Sequence, residues 1–350
     1  MKKIIFVIVS MAGGGAERVI SILANQFVKQ NIEVTILMTA GDTVSYGLDE
    51  RIKLISAGGV SGGSIRLRLK RIFKMREIFR KNKDATIISF GPGTSFFAVA
   101  ADLFLGNGMV ISERNDPAAC PYPRLRNLIY HRGRRLVFQT EDAKACFPKY
   151  LRDKGVVIPN PIEEGIPSPY SGVRDKSVVA VGRLEPQKNH MLLLEAFAEF
   201  HRYFPEYSLH LYGDGSLSSS LEERAKTLGI QSAVVFEGFT RNVTEKIKAA
   251  GMYVLSSDYE GISNSLLEAM ALGIPSISTD CPIGGSKLCI ESYENGILVR
   301  TGDREALVNA MCDIASNKVL AEKFSENGAK LKERYSQRRI SEMWLEIILN

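Results

Sequence analysis

Short runs of branched apolar residues alternate with helix-like stretches twice along this chain, and a proline-rich break separates the two series. The opening run, residues 3–9, is continuously apolar, the pattern of a strand covered on both faces rather than one. A glycine turn leads into a helix predicted over 16–29, and Glu33–Met38 reads as the next strand. Further strands are predicted at Ala85–Phe90, Met109–Ser112, 136–139 and 155–158. Pro159-Asn160-Pro161 interrupts the pattern, and 161–176 reads as a linker. The alternation then resumes with strands at Ser177–Val181, Ser208–Tyr212, 234–237, 252–256 and 275–278. Helices are predicted at 191–203, 217–228, Arg304–Ser316, 320–334 and 337–348. Strands alternating with helices imply parallel sheets with helices on both faces. The expected fold is therefore α/β, two doubly wound Rossmann-like domains facing each other across a cleft. The predicted boundaries are 1–160, 161–334, and a terminal segment 335–350 that packs back as a helix on the first domain. In such sheets ligands bind beyond the carboxyl ends of the strands.

Composition narrows the class. With 350 residues, 45% apolar and 24% charged, the chain has ample core for two domains. No apolar run approaches the roughly 18 residues that would cross a bilayer. The N-terminal apolar stretch is short and runs into Gly13-Gly14-Gly15, so it reads as a strand rather than a signal peptide, and a cytoplasmic location is expected. Five scattered cysteines suit reduced thiols, and none is paired at metal-ligand spacing. Charge is divided unevenly. Residues 1–160 hold 25 Lys and Arg against 13 Asp and Glu, whereas 161–350 hold 20 against 26. A basic half joined to an acidic half points to an anionic partner for the first.

The segment 256–275 carries the strongest local signal. A strand ends near Ser256, a loop follows, and a helix is predicted from about Leu266 to Gly273, with Pro275 beyond it. Backbone N–H groups of Gly261, Ile262, Ser263, Asn264, Ser265 and Leu266 at such a helix start suit an anion. Glu260 stands on the loop and Glu268 is expected in the first helical turn. Carboxylates there suit sugar or ribose hydroxyls, which donate hydrogen bonds. Ser265 and Glu268 also fit a capping box, in which Glu268 caps its own helix, and Glu260 alone would read as a solvated loop acid.

A second loop, Val181-Gly182-Arg183-Leu184-Glu185-Pro186-Gln187-Lys188-Asn189, follows the first strand of the second series. Arg183 as a fork and Lys188 as a point charge can converge on a diphosphate and neutralise charge on a departing nucleoside diphosphate. As an isolated motif it reads equally as two solvated cations. Gly13-Gly14-Gly15-Ala16-Glu17-Arg18 and Tyr212-Gly213-Asp214-Gly215 are each weak alone, being explained by tight strand-to-helix turns.

Taken in order, these motifs resemble the large family of retaining glycosyltransferases of the GT-B type, over most of the chain. The family pattern stands here as Gly14-Gly15-Ala16-Glu17-Arg18, Val181-Gly182-Arg183-Leu184 with Lys188-Asn189, Gly213-Asp214-Gly215, Phe236-Glu237-Gly238-Phe239, and the paired glutamates Glu260 and Glu268 separated by seven residues. The resemblance implies an N-terminal acceptor-binding domain and a C-terminal domain for a nucleotide-sugar. Glu260 would then contact the donor sugar and Glu268 the ribose. Arg183 and Lys188 would hold the diphosphate, the backbone around Gly238 would meet the base, and Gly14 and Gly15 would approach the donor. The resemblance implies no cofactor and no metal, the nucleotide-sugar being a substrate, with a UDP-linked hexose or N-acetylhexosamine expected. Two departures stand out. Where many members carry a histidine, this chain has Ser112-Glu113-Arg114-Asn115-Asp116-Pro117, and Glu113 or Arg114 is expected to line the acceptor site. Cys281-Pro282-Ile283-Gly284-Gly285-Ser286-Lys287 replaces the family's usual proline-and-acid run.

Between Arg66 and Lys83 lie nine basic residues and one acid, Glu77. On a helix, Ile65, Leu69, Ile72, Phe73, Arg76 and Phe79 fall near one side, and Arg66, Arg68, Lys70, Arg71, Lys74 and Arg80 dominate the rest. Such a cationic amphipathic helix suits an anionic membrane surface, or else packs its apolar face on the sheet. The pattern is similar to bacterial members that extend oligosaccharides on a polyprenyl-diphosphate carrier, some of which hold that diphosphate with a basic helix. The expected acceptor is thus a glycan, linked to a lipid diphosphate, with Glu17 and the basic residues of this helix nearby. The enzyme would be peripheral on the inner face of the membrane. Two rivals remain in the sequence. A sugar-nucleotide epimerase shares the fold, and a nucleic-acid binder would use the same basic patch, though the segment lacks interleaved aromatic platforms and no nucleic-acid partner is expected.

Overall fold

The computed structural model describes residues 2–58 and 64–349, which form two compact units. The first comprises residues up to Pro161 together with the chain from Gln337 onward; the second spans Ile162–Ser336.

The first unit runs β1 (Lys3–Ile8), α1 (Gly15–Lys29), β2 (Glu33–Met38), β3 (Lys53–Ser56), α2 (Ile65–Lys81), β4 (Ala85–Phe90), α3 (Pro92–Asp102), β5 (Met109–Ser112), α4 (Pro123–His131), β6 (Arg135–Phe138), α5 (Glu141–Ala145), α6 (Lys149–Arg152) and β7 (Gly155–Val157). Its seven strands are parallel in the order β3-β2-β1-β4-β5-β6-β7. The second unit contains β8 (Ser177–Val181), α7 (His190–Tyr203), β9 (Ser208–Tyr212), α8 (Ser218–Thr227), β10 (Val234–Gly238), α9 (Val243–Ile247), β11 (Met252–Leu255), α10 (Asn264–Ala271), β12 (Ser276–Thr279), α11 (Gly285–Cys289), β13 (Ile297–Val299), α12 (Arg304–Ser316), α13 (Lys318–Ala329) and α14 (Leu331–Arg334). Its six parallel strands are ordered β10-β9-β8-β11-β12-β13. Both orders reverse direction once, beside β1 and beside β8, the doubly wound pattern whose crevice opens at the carboxyl ends of the two central strands.

Buried aliphatic and aromatic residues on both faces of each sheet explain the continuous apolar runs, and each unit has its own core. Two strands escaped the sequence pattern. In β3, an edge strand, Lys53 and Leu54 are exposed, and β13 is only three residues long. The helix expected over 320–334 divides into α13 and α14 around Lys330.

The last helix, α15 (Gln337–Leu349), belongs to the first unit. Trp344 is fully buried and stacks on Phe90 at 5.8 Å between ring centroids. The Arg114 guanidinium lies over both rings, 4.7 Å from Phe90 and 5.4 Å from Trp344. Its Nη1 donates to Asn160 Oδ1 at 2.8 Å, and Gln139 Nε2 donates to the same oxygen at 2.9 Å. Burial depresses the guanidinium pKa to about 9, an effect partly offset by the Glu113 charge. Arg114, expected at an acceptor site from its place in the family pattern, is instead buried and ties α15, the end of β5 and the chain before Pro161 together. No helix among the described residues is long and apolar enough to cross a membrane. Replacing Trp344 by Ala is expected to destabilise the first unit by about 3–5 kcal/mol, as loss of a fully buried large aromatic does, measured by urea unfolding followed by circular dichroism.

Candidate functional site

At the reversal beside β8, the loops that leave β8 and β11 are zipped together. Asn189 takes a left-handed conformation (φ 45°, ψ 47°), which asparagine tolerates, and caps α7 by accepting from Leu192 N. Its Nδ2 donates to Asp258 Oδ1 at 2.7 Å. Ser256 Oγ donates to the Lys188 carbonyl, Asp258 N to the Gln187 carbonyl, and Gln187 Nε2 to the Tyr259 carbonyl. In the middle of this seam Lys188 Nζ meets Glu260 Oε2 at 2.5 Å, with the two side chains only 12% and 15% exposed. Sequence reasoning gave these two residues separate ligands, and the fold joins them to each other. Arg183 stands exposed on the same loop. Asp258, Asn189 and Gln187 were within the motifs but went unassigned, because their partners lie about seventy residues away.

The helix carrying the second glutamate differs from expectation. It begins at Asn264, two residues before the predicted start, with Ser263 as N-cap and no side-chain cap bond. Glu268 consequently sits in the second turn, and the Ser265–Glu268 capping box does not form. Ser265 instead accepts from the Tyr253 hydroxyl at 2.8 Å and donates to the Val181 carbonyl at 2.9 Å. Its Oγ also lies 3.1 Å from Ser263 Oγ. One hydroxyl thus ties α10 to both β8 and β11. Leu267 N donates to the Ser263 carbonyl at 3.1 Å, the bond that opens the helix. Ile262, Ser263, Leu266 and Glu268 are buried, and Leu266 can offer a ligand only its backbone.

Two glycines set the spacing of the surrounding loops. Gly213 has φ +134°, and a Cβ there would collide with the Gly182 carbonyl; one at Gly285 would collide with the Gly261 carbonyl. The Gly284-Gly285 turn, noted in the sequence only as a departure from the family pattern, is therefore what lets its loop pack on the glutamate loop. Gly238 ends β10 with φ +69° and accepts from Gly213 N at 2.9 Å. Cys281 Sγ donates to the Ser257 carbonyl, and burial pushes its thiol up to about 11. His190, first residue of α7, is a buried imidazole beside the Arg183 backbone. Burial, then the Lys188 charge, push it down to about 4.

The remaining expected residues lie in the first unit. Gly14 is the N-cap of α1 and Gly15 its first residue; the Gly14 carbonyl accepts from the Tyr46 hydroxyl, and Glu17 occupies the first turn. Glu113 is buried. Its carboxylate accepts from Arg114 N, Asn115 N and the Tyr130 hydroxyl, and burial raises its pKa above the usual carboxylate range. On α2, Arg66, Arg68, Lys70 and Lys74 are exposed, and Lys74 Nζ reaches the Ser56 carbonyl at 2.6 Å. Arg71 is not exposed. It turns inward with Met75 and Phe79, which corrects its placement among the surface cations. Ile65, Leu69 and Phe73, expected on the apolar face with Phe79, are instead on the exposed side. Among the described residues no group of three or more His, Cys, Asp or Glu side chains is placed to hold a metal ion.

Two outcomes follow from this geometry. Ser265→Ala removes both ties and leaves the buried Tyr253 hydroxyl without its acceptor, costing about 1–3 kcal/mol, whereas Tyr253→Phe keeps the bond to Val181 and costs less; denaturant melts of the two variants give the ranking. Because His190 is neutral when folded and takes up a proton on unfolding, its contribution is intact above pH ~6.5 and is lost as pH falls toward 4, by about 3 kcal/mol. Urea titrations at pH 7.5 and 4.5 should show this loss in the wild type and not in His190→Phe.

Both units resemble known proteins. Residues 164–331 match the family described as Glycosyl transferases group 1, and residues 13–165 match Glycosyltransferase Family 4. The chain is 28% identical, over 99% of its length and 98% of the relative's, to an α-1,4-N-acetyl-D-galactosaminyltransferase of Campylobacter jejuni named for GalNAc-alpha-(1->4)-GalNAc-alpha-(1->3)-diNAcBac-PP-undecaprenol. Its fold matches that of Anabaena HepE in complex with UDP (TM-score 0.81, 17% identity, 99% of each chain). It also matches a mutant of S. aureus TarM in complex with fondaparinux, alpha-GlcNAc-glycerol and UDP (TM-score 0.82, 15% identity, 100% of each chain). The second unit thus matches the group 1 glycosyltransferases and the first glycosyltransferase family 4, and the chain is a glycosyltransferase of the GT-B fold.

Proposed function

We propose that the enzyme moves a hexose or N-acetylhexosamine from a UDP-linked donor, with retention of anomeric configuration, to a glycan carried on a lipid diphosphate. The observation that carries this reading is the seam in the second unit, where the cation loop after β8 and the carboxylate loop after β11 are held in one place. In it, Arg183 and Lys188 hold the donor diphosphate and offset the charge that builds as it leaves. Those cations and the amides at the start of α10 supply the positive field, so the proposal calls for no metal and no cofactor. Glu260 accepts from a hydroxyl of the transferred sugar and Glu268 from the ribose. The backbone at Gly238 meets the base. Retention follows if the acceptor enters on the face from which the diphosphate departs, which requires no side-chain nucleophile. UDP in the HepE and TarM complexes and the undecaprenol-linked glycan in the name of the C. jejuni relative support the donor and the acceptor.

The basic helix is read in the same frame. On α2 the apolar side chains of Ile65, Leu69 and Phe73 stand exposed among Arg66, Arg68, Lys70 and Lys74, a combination suited to the anionic surface of a membrane from which such an acceptor would be taken.

The ion pair shapes the test. Lys188→Met alone strands the Glu260 charge in a mostly buried place and is expected to destabilise by about 3–5 kcal/mol, confounding loss of chemistry with loss of fold. In Lys188→Met/Glu260→Gln the stability should largely return while transfer stays at least about a hundredfold down, the scale of one lost transition-state contact. Melting curves and acceptor-dependent UDP release on the same preparations check both. A double variant that transfers at the wild-type rate refutes the assignment. UDP release without any acceptor would point away from transfer.

A further inference from the structure

The first unit holds a cavity of about 380 Å³ beyond the carboxyl ends of β4 and β5, walled by α3, the chain after β5, and α4. Its size falls within the range, roughly 300–1,000 Å³, of small-molecule sites. Most of its lining is carbon, from Phe96, Cys120, Pro121, Tyr122, Leu125 and Ile129. The polar residues that reach it are largely committed elsewhere. The Glu113 carboxylate is taken up by Arg114 N, Asn115 N and the Tyr130 hydroxyl, and Asp116 Oδ1 accepts from Ala118 N. Arg126 donates to the Pro117 carbonyl and to Asn127 Oδ1, with its guanidinium 4.3 Å from the Phe147 ring centre. Apart from the Asn115 amide and one oxygen of Asp116 on the wall after β5, a ligand entering this cavity is therefore offered mainly hydrocarbon. At the mouth, Phe96, Tyr122 and Leu125 are 41%, 70% and 47% exposed, a cluster of large apolar side chains that a surface without a ligand has no use for.

The same stretch of chain is strongly cationic. Residues 117–140 contain Arg124, Arg126, Arg132, Arg134 and Arg135 and not one Asp or Glu. Arg124 and Arg132, at the two ends of α4, are exposed. The cavity has the acids Glu113 and Asp116 on the wall after β5, while the wall formed by α4 carries only positive charge, so the α4 side is complementary to an anionic amphiphile. We propose that this cavity takes the first part of the apolar chain of the acceptor, an isoprenoid bearing a diphosphate, so that the enzyme grips its acceptor by the lipid as well as by the glycan. The inference rests on the lipid-linked acceptor reading above and deepens it: a segment of the chain leaves the bilayer and enters the protein.

Binding to the full-length enzyme, measured calorimetrically with farnesyl diphosphate below its micelle concentration and with no vesicles present, separates this site from simple adsorption to a membrane. Farnesyl diphosphate should bind at least about tenfold more tightly than inorganic diphosphate, the worth of one buried leucine-sized contact, with a negative heat-capacity change. Leu125→Asp, at an exposed position, should abolish that difference while leaving UDP affinity unchanged, and Tyr122→Ser should reduce it. Equal affinity for the two diphosphates, or a Leu125→Asp enzyme that still prefers the isoprenoid, overturns the proposal. Displacement of farnesyl diphosphate by a lipid-free oligosaccharide also overturns it, since the cavity would then be a sugar site. UDP release with N-acetylgalactosaminyl farnesyl diphosphate against methyl N-acetylgalactosaminide tests the underlying reading. If the lipid-linked glycan is used and Leu125→Asp leaves its KM unchanged, the cavity proposal alone falls. If only the lipid-free sugar is used, the acceptor reading falls and takes this one with it.

Discussion

In a parallel sheet whose strand order reverses once, the two central strands send their following loops to opposite sides, and a crevice opens between them. In the second unit those strands are β8 and β11, and everything chemical about the unit depends on that reversal. Lys188 and Glu260, 72 residues apart, meet because each lies just beyond one of them. The crevice would be a liability if its walls could drift. Four neutral or charge-assisted bonds among Asn189, Asp258, Ser256, Gln187 and the intervening backbone hold the loops at fixed spacing, and glycines at 213 and 285 allow the neighbouring loops to close on them at backbone contact.

The Lys188–Glu260 pair is better understood as a device for position than for stability. A mostly buried ion pair recovers little beyond the cost of removing both charges from water, and an apolar pair of similar volume would hold the loops as well. Retaining two charges there fits the proposed function, in which each has a second partner to serve, the cation a diphosphate and the carboxylate a hydroxyl. Ser265 has an analogous double use. Its position three residues before Glu268 fits a helix cap, yet its hydroxyl links the start of α10 to β8 and β11, so the glutamate helix and the cation loop are registered through one side chain.

The first unit shows how charge and burial can part company. Of the cations that make this half basic, Arg71, Arg114 and Arg126 are buried. Arg114 serves as a planar bridge between Phe90, Trp344 and Asn160, securing the returning C-terminal helix. The exposed cations accompany exposed apolar side chains on α2 and α4, and the combination distinguishes this surface from an ordinary solvated face. Glu113 stands at the end of β5, where its carboxylate orders the chain that forms one wall of the apolar cavity.

The sequence by itself determined the architecture and the residues from which the proposed donor site is drawn. Glu33–Met38, Ala85–Phe90, Met109–Ser112, Ser177–Val181 and Ser208–Tyr212 were legible to the residue because a largely buried strand reads as a short run dominated by branched and aromatic apolar residues. The edge strand β3 and the three-residue β13 were not, since an exposed edge imposes no such pattern and a run so short carries no periodicity. The loops bearing Arg183, Lys188, Glu260 and Glu268 were recognisable because each is a contiguous segment following a strand. Tertiary structure alone decided which of these residues touch: that Lys188 answers Glu260, that Ser265 binds across strands instead of capping, and that Arg71 and Arg114 lie inside. Sequence spacing specifies neighbours only along one helix or strand. Contacts between elements, and the burial that overrides a residue's usual preference for water, exist only once the sheet has set the order of its strands.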